Sequence, residues 1–285
     1  MAVIIDGKKT AADIRAEIAA ESKAFFERNG RRPGLAVIRI GDDPASAVYV
    51  RNKMRACADV GFETKDIILP SDCGSERALA EIAALNDDSS VDALLVQLPV
   101  PPGYDPKVFI DAIDPDKDAD AFHTLDAGHL TVGNGNILPC TPAGIVELLR
   151  RYCVPVAGRE AVVIGRSDIV GRPAAAMLLA LDATVTIAHS RTKDLASVVR
   201  RGDIVVSAVG RAGLITGDML KPGCALIDVG MNRDAEGKLC GDADFASCEK
   251  VAGYITPVPG GVGPMTVAML MRNTMNAALK RESVC

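Results

Sequence analysis

Short runs of Val, Ile and Leu alternate with helical periodicity along most of the chain. LAVIRIG (35–41), TKDIILP (64–70) and ALLVQLP (93–99) read as buried strands, and 44–60 and 75–86 carry apolar residues at helical spacing. Asp43-Pro44 supplies an N-cap and a first helical residue for the segment at 44–60. A second series holds AVVIG (161–165), a helix near 172–181, TVTIAHS (184–190) and a helix near 192–200. DIVVSAVG (203–210), ALIDVG (225–230) and YITPV (254–258) complete it. Strands alternating with helices in this way build a parallel sheet covered by helices.

The pattern breaks between the two series. Residues 99–141 hold Pro-Val-Pro-Pro-Gly, Asp114-Pro115-Asp116-Lys117-Asp118 and Gly133-Asn134-Gly135-Asn136, which read as loops and linker. A helix then runs from Pro142 to Tyr152 with Thr141 as its N-cap. The expected fold class is therefore α/β: two α/β domains with a cleft between them, the second a Rossmann-like parallel sheet. Residues 1–139 form the expected first domain, completed by a returning C-terminal helix at about 264–285, and 140–263 form the second.

Composition narrows the function classes. A length of 285 residues is enough for two cores. A formal net charge of −5 offers no basic face for nucleic acid. No run approaches the ~18 apolar residues of a membrane span, and the opening MAVIIDGKKT does not read as a secretory signal. The cysteines at 57, 73, 140, 153, 224, 240, 248 and 285 form no C-x-x-C pair and read as reduced thiols of a cytoplasmic protein. His123, His129 and His189 lack metal-ligand spacing, so no metal is expected.

The candidate chemistry lies in two places. In AVVIGRSDIVGRP (161–173), Gly165 permits a tight turn and Gly171 stands where the third glycine of G-x-G-x-x-G lets a helix approach its strand. Ser167 replaces the middle glycine and offers a hydroxyl to a pyrophosphate at the helix N-terminus. The second strand ends in His189-Ser190-Arg191-Thr192, without the acid that holds NAD ribose hydroxyls. Ser190, Arg191 and Arg166 suit a 2′-phosphate, hence NADP. A glycine turn can also be a plain strand-to-helix link.

Tyr49 and Lys53 stand at i, i+4 on one helix and share a face. Tyr-x-x-x-Lys is also the spacing of the short-chain dehydrogenase pair, but that pair follows the nucleotide turn in the same domain. Here it precedes Gly165 and lies in the other α/β unit, so the shared spacing is helix geometry. Gln97 is a polar residue near the carboxyl end of an apolar strand, where open α/β sheets bind ligands. Asp120 lies in an acidic loop, and TPVPGGVGPMT (256–266) has glycines that let backbone approach a flat ligand. Each has a plain reading too: a solvated tyrosine on a lysine stem, a satisfied core glutamine, a capping aspartate, an ordinary turn.

Taken in order, IGDDPASAVYVRNK, VQLPVP, PCTPAG, GRSDIVGRP, HSRT and PVPGGVGPMT resemble the bifunctional methylenetetrahydrofolate dehydrogenase/methenyltetrahydrofolate cyclohydrolase family, the FolD type. The resemblance covers nearly the whole chain. It implies oxidation of 5,10-methylenetetrahydrofolate with NADP, then hydrolysis of the methenyl product to 10-formyltetrahydrofolate, in a cytoplasmic homodimer. It also implies roles: Lys53 as the principal catalytic group, Tyr49 stacking near the folate, Gln97 positioning Lys53 and Asp120 holding the pterin. Val96, Gln97, Leu98, Pro259, Gly260, Gly261, Val262 and Gly263 would line the folate site. Gly165, Arg166, Ser167, Ser190, Arg191 and Met231 would hold NADP.

Those roles are chemically reasonable. Hydride loss depends mainly on positioning. Hydrolysis must form and collapse a tetrahedral intermediate, and a lysine withdrawn from water suits the proton transfers. Two residues depart from the family pattern: Ala121 stands where a glycine follows Asp120, which would strain the loop if positive φ is required, and Met231 replaces an isoleucine. Two other readings are a monofunctional enzyme on the same scaffold and a non-enzymatic NADP-binding protein. With methylenetetrahydrofolate, absorbance should report methenyl formation faster with NADP⁺ than with NAD⁺; no change with either favours the binding protein.

Overall fold

A computed structural model describes residues 1–135 and 137–284; Asn136 of the expected turn and Cys285 among the thiols lie outside them. In chain order the elements are β1 (Val3–Ile4), α1 (Gly7–Asn29), β2 (Gly34–Ile40), α2 (Pro44–Asp59), β3 (Glu63–Leu69), α3 (Ser75–Asp87) and β4 (Ala93–Val96). There follow α4 (Pro106–Ile110), α5 (Thr124–Thr131), α6 (Cys140–Arg151), β5 (Glu160–Ile164), α7 (Gly171–Ala180), β6 (Thr184–Ala188) and α8 (Leu195–Val199). The chain ends with β7 (Ile204–Ser207), β8 (Ala225–Asp228), β9 (Asn232–Arg233), β10 (Leu239–Cys240), α9 (Phe245–Cys248), β11 (Tyr254–Ile255) and α10 (Val262–Val284). No helix among the described residues is long and apolar enough to cross a membrane.

The chain divides into two compact units. One comprises residues 1–12, 130–134 and 139–269; the other comprises 13–129, 135–138 and 270–285.

The first of these is built on a parallel sheet ordered β1-β11-β8-β7-β5-β6. Its strands read as continuous apolar runs because both faces are covered: Val162, Ile164, Val205, Leu226 and Ile255 are all buried. From β5 the chain passes to β6 on one side and then returns to β7 on the other. That reversal opens a crevice at the carboxyl ends of β5 and β7, the usual ligand position in such sheets. β1 joins through Val3 N–H to the Gly253 carbonyl and Ile5 N–H to the Ile255 carbonyl, both 2.8 Å. Residues 1–12 therefore belong with this sheet, although the sequence expectation assigned 1–139 to the first domain. A two-residue strand carries no periodicity; the open edge of β11 recruits it.

The other unit holds a parallel sheet ordered β3-β2-β4. Central β2 is buried at every position except Arg39, which pairs with Asp66 on β3 at 2.8 Å. Ala78, Ile82 and Leu85 form the inward stripe of α3. They pack with Ile38, Leu94 and Phe109.

Asp43 caps α2 as its sequence predicts, accepting from Ser46 N–H at 2.7 Å. The expected linker at 99–141 is more structured than its turn signals suggested. Asp105-Pro106 and Asp114-Pro115 act as cap and first residue of short helices, with Asp105 accepting from Lys107 N–H and Asp114 from Asp116 N–H. Thr141 lies inside α6, which starts at Cys140, and its hydroxyl pairs with that of Thr266 at 2.9 Å. α8 begins only at Leu195, capped by Asp194, because His189–Thr192 folds as a turn. β11 ends at Ile255, short of the expected 258.

Asp92 ties the amino ends of β2 and β4 to the last helix. It is 0% exposed and accepts from Gly34 N–H at 2.8 Å, from Arg31 at 2.8 and 2.9 Å, and from Arg281 at 3.0 Å. Removing one partner of a buried pair leaves uncompensated charge. Asp92→Ala should lower the unfolding free energy by about 3 kcal/mol, the low end because both arginines reach water. A denaturant titration measures it.

Candidate active site

α2 presents Tyr49, Lys53 and Cys57 at successive i, i+4 positions. Lys53 is only 4% exposed. Its Nζ lies 4.7 Å from the centroid of the Tyr49 ring and donates to Gln97 Oε1 at 3.2 Å. Gln97 is fixed in turn: its backbone N–H donates to the Ile38 carbonyl at 2.8 Å, and its Nε2 donates to the Leu98 carbonyl at 2.6 Å. Val96 is buried, Leu98 is half-buried, and the Leu98–Pro99 peptide bond is cis. Below the lysine, burial pushes the Cys57 thiol up to about 12, so it stays protonated and apolar. The result is an amine withdrawn from bulk water and oriented by a ring face and a neutral oxygen.

Asp120 is half-buried in a loop hung from β4. Ala119 N–H donates to the Leu94 carbonyl at 3.0 Å. The buried Asp118 carboxylate accepts from the N–H groups of Asp120 at 3.1 Å, Phe122 at 2.7 Å and His123 at 2.7 Å. Burial pushes the Asp118 carboxyl up to about 7 against these donors. Asn273 Nδ2 donates to the carbonyls of Ala119 at 2.9 Å and Leu138 at 2.8 Å. Ala121 has φ of 55°, the left-handed conformation anticipated for a glycine position. Sequence reasoning did not single out Asp118 or Asn273. The available signal for Asp118 was an acid two residues before Asp120; Asn273 sits in a helix and gave none.

In the six-stranded unit, Gly165 has φ of 120°, and a Cβ there would come within 3.1 Å of the Ala208 carbonyl carbon. A Cβ at Gly171 would stand 2.6 Å from the Gly165 carbonyl carbon. These two glycines therefore allow strand, turn and helix to close on each other as a nucleotide turn requires. Ser167 Oγ accepts from Val170 N–H at 3.2 Å and Gly171 N–H at 3.3 Å, so the hydroxyl braces the turn and keeps its own proton to donate. Arg166 is exposed beside it.

At the end of β6, His189 N–H donates to Thr192 Oγ1 at 2.9 Å and Arg191 N–H to His189 Nδ1 at 3.1 Å. The turn satisfies itself and leaves the Ser190 and Arg191 side chains exposed. Met231 is 68% exposed, and a Cβ at Gly263 would lie 4.0 Å from its Sδ.

The turn at 259–263 belongs to this same unit. Gly260 has φ of 107° and its carbonyl accepts from Lys8 N–H at 3.0 Å; Gly261 packs on the Pro257 carbonyl. Pro259 and Gly263 are exposed, whereas Val262 is 2% exposed and packs in the core. Tyr49, Lys53, Val96, Gln97, Leu98 and Asp120 lie in the other unit.

Residues 5–120 match the family described as tetrahydrofolate dehydrogenase/cyclohydrolase, catalytic domain, and residues 139–282 match its NAD(P)-binding domain. The chain belongs to the tetrahydrofolate dehydrogenase/cyclohydrolase family. It is 53% identical over 282 residues to the bifunctional protein FolD of Paraburkholderia xenovorans, covering 99% of this chain and 98% of that one. With the Desulfovibrio desulfuricans protein of the same name, identity is 54% over 285 residues, covering 99% and 100%. Among solved structures it is similar to the bifunctional FolD dehydrogenase/cyclohydrolase of Campylobacter jejuni, with TM-score 0.96, 42% identity, and 99% and 100% of the chains covered. The Trypanosoma brucei enzyme, described as complexed with NADP cofactor and inhibitor, gives 0.94 and 42%, covering 100% and 99%.

Ala121 is the departure with a measurable consequence. A left-handed conformation costs a residue with a Cβ roughly 1–2 kcal/mol, part of which glycine gives back as unfolded-chain entropy. Ala121→Gly should therefore stabilise the fold by about 1 kcal/mol. The check is the urea midpoint at unchanged m-value.

Proposed function

We propose that the chain oxidises 5,10-methylenetetrahydrofolate with NADP and hydrolyses the methenyl product to 10-formyltetrahydrofolate, with Lys53 as the proton-transferring group. The observation that carries the residue assignment is the buried Lys53 amine held between Gln97 Oε1 and the Tyr49 ring. Gln97 orients the amine, Tyr49 gives a half-exposed aromatic platform for a flat ring, and Asp120 accepts from pterin N–H groups. The unit holding these residues carries the folate chemistry, and the six-stranded unit carries the dinucleotide. Val96 and Leu98 shape the wall beside Gln97.

NADP⁺, when bound, accepts a hydride from the one-carbon bridge. The residues fit it: a Cβ at Gly165 or Gly171 would fill the turn against which a pyrophosphate rests. Ser167 donates its free hydroxyl proton, Arg166 and Arg191 supply positive charge, and Ser190 hydrogen-bonds the 2′-phosphate. Met231 covers the far end with an adaptable apolar side chain. In the hydrolytic step, Lys53 moves the protons that let water add to the methenyl carbon and the ring open.

Two further parts belong to this reading. The active form is a homodimer: edge strand β6 exposes Ile187 at 42%, and Leu179 at 62% and Leu181 at 40%, in the segment before it, are exposed too. Its location is cytoplasmic, where the free thiols stay reduced.

Lys53→Met should lower methenyltetrahydrofolate hydrolysis by roughly 10²–10⁴-fold, the usual scale of general acid–base catalysis, while NADP still binds. The absorbance decay of methenyltetrahydrofolate measures the first and a cofactor titration the second. Unchanged hydrolysis overturns the assignment.

A further inference from the structure

Two buried carboxylates in the six-stranded unit take no part in the roles above. Asp242 is 0% exposed. Its Oδ2 accepts from Ser207 Oγ at 3.0 Å and Val209 N–H at 2.9 Å; its Oδ1 accepts from Arg211 N–H at 2.8 Å and Asn232 Nδ2 at 2.9 Å. Asp242 N–H donates to Asp228 Oδ1 at 3.0 Å, and the Asp228 carboxylate also accepts from Gly230 at 2.9 Å and Ala243 at 2.8 Å. Gly230 packs against Asp242 so closely that a Cβ would come within 2.6 Å of its nitrogen.

The donors on Asp242 come from places that matter to a dinucleotide. Ser207 ends β7, Val209 and Arg211 lie in the loop leaving it, and Asn232 follows Met231 in the segment leaving β8. The loop after β7 abuts the nucleotide turn, since a Cβ at Gly165 would stand 3.1 Å from the Ala208 carbonyl carbon. Strand order then sets the orientation. Ser190 and Arg191 at β6 take the adenosine end and the turn after β5 takes the pyrophosphate. The ends of β7 and β8 are left for the nicotinamide half.

We infer that Asp242 is a positioning residue for the nicotinamide half of the dinucleotide, its carboxylate fixing the loops after β7 and β8 before the ligand arrives. The inference rests on the reading that NADP occupies this sheet. Loops already ordered in the free protein lose little entropy on binding. Asn at this position would turn an N–H₂ group towards two of the four donors and release them.

The experiment compares NADP⁺ with 2′,5′-ADP, which carries the adenosine end alone, by titration against wild type, Asp242→Asn and Asn232→Ala. Wild type should bind both. Asp242→Asn should weaken NADP⁺ roughly tenfold or more and leave 2′,5′-ADP unchanged. Asn232→Ala, which removes one donor at a half-buried site, should act in the same direction by a smaller factor, and it decides the matter if Asp242→Asn does not fold. NADP⁺ affinity equal to wild type, or 2′,5′-ADP weakened by the same factor, overturns the inference. Wild type that binds neither ligand overturns the NADP reading itself, a different result from either of these.

Discussion

A loop leaving the carboxyl end of a parallel strand carries N–H groups that no neighbouring strand can accept, and buried carboxylates meet that need in both units. Asp118 gathers three such groups beyond β4; Asp228 gathers three beyond β8. Asp242 gathers two more, with two side-chain donors. The cost of placing a carboxylate in the interior is reduced, though not cancelled, when its oxygens are saturated in this way. Open α/β sheets bind ligands at these strand ends, so the same bonds that satisfy the backbone also fix the loops that carry the proposed site residues. Burial still raises Asp118 and Asp228 above the ordinary carboxylate range, which shows that desolvation outweighs their donors.

Lys53, proposed above as the proton-transferring group, is held by a different logic. Arg31 and Arg281 meet a full negative charge on Asp92, and the outcome is a structural clamp. Lys53 meets an amide oxygen and a ring face. A carboxylate in place of Gln97 would stabilise the charged amine as an ion pair and oppose proton release. A neutral acceptor orients the amine without adding that penalty. The Tyr-x-x-x-Lys spacing thus serves here to lay an aromatic platform beside the amine on a helix face.

The sequence made the apolar strands of both sheets legible because residues such as Val162 and Leu94 are buried by both-sided packing and so form unbroken runs. Gly165 and Gly171 were legible because only glycine permits so close a strand–turn–helix approach. What stayed hidden depends on partners distant in sequence. β1 is recruited by the edge of β11, and the acceptors of Asp92 and Asp242 are matched to donors far along the chain. Asp105-Pro106 and Asp114-Pro115 were ambiguous for a local reason: the dipeptide that signals a turn also starts a helix. Ser167 looked like a ligand group and also proved to be a brace for its own turn.

Ala121 shows how firmly such a carboxylate sets its loop. The residue sits between Asp120 and Phe122, whose N–H groups both donate to Asp118. Relaxing φ from 55° would rotate the peptide units on either side and break at least one of those bonds. The loop keeps the strain, roughly 1–2 kcal/mol for a side chain in this conformation, so its hydrogen bonds together outweigh that amount. Asp120 consequently sits in a backbone that Asp118 holds on both sides of Ala121. A family glycine at this position would remove the strain while leaving the bonds to Asp118 as the source of order in the loop backbone, which makes the residue at 121 a matter of stability.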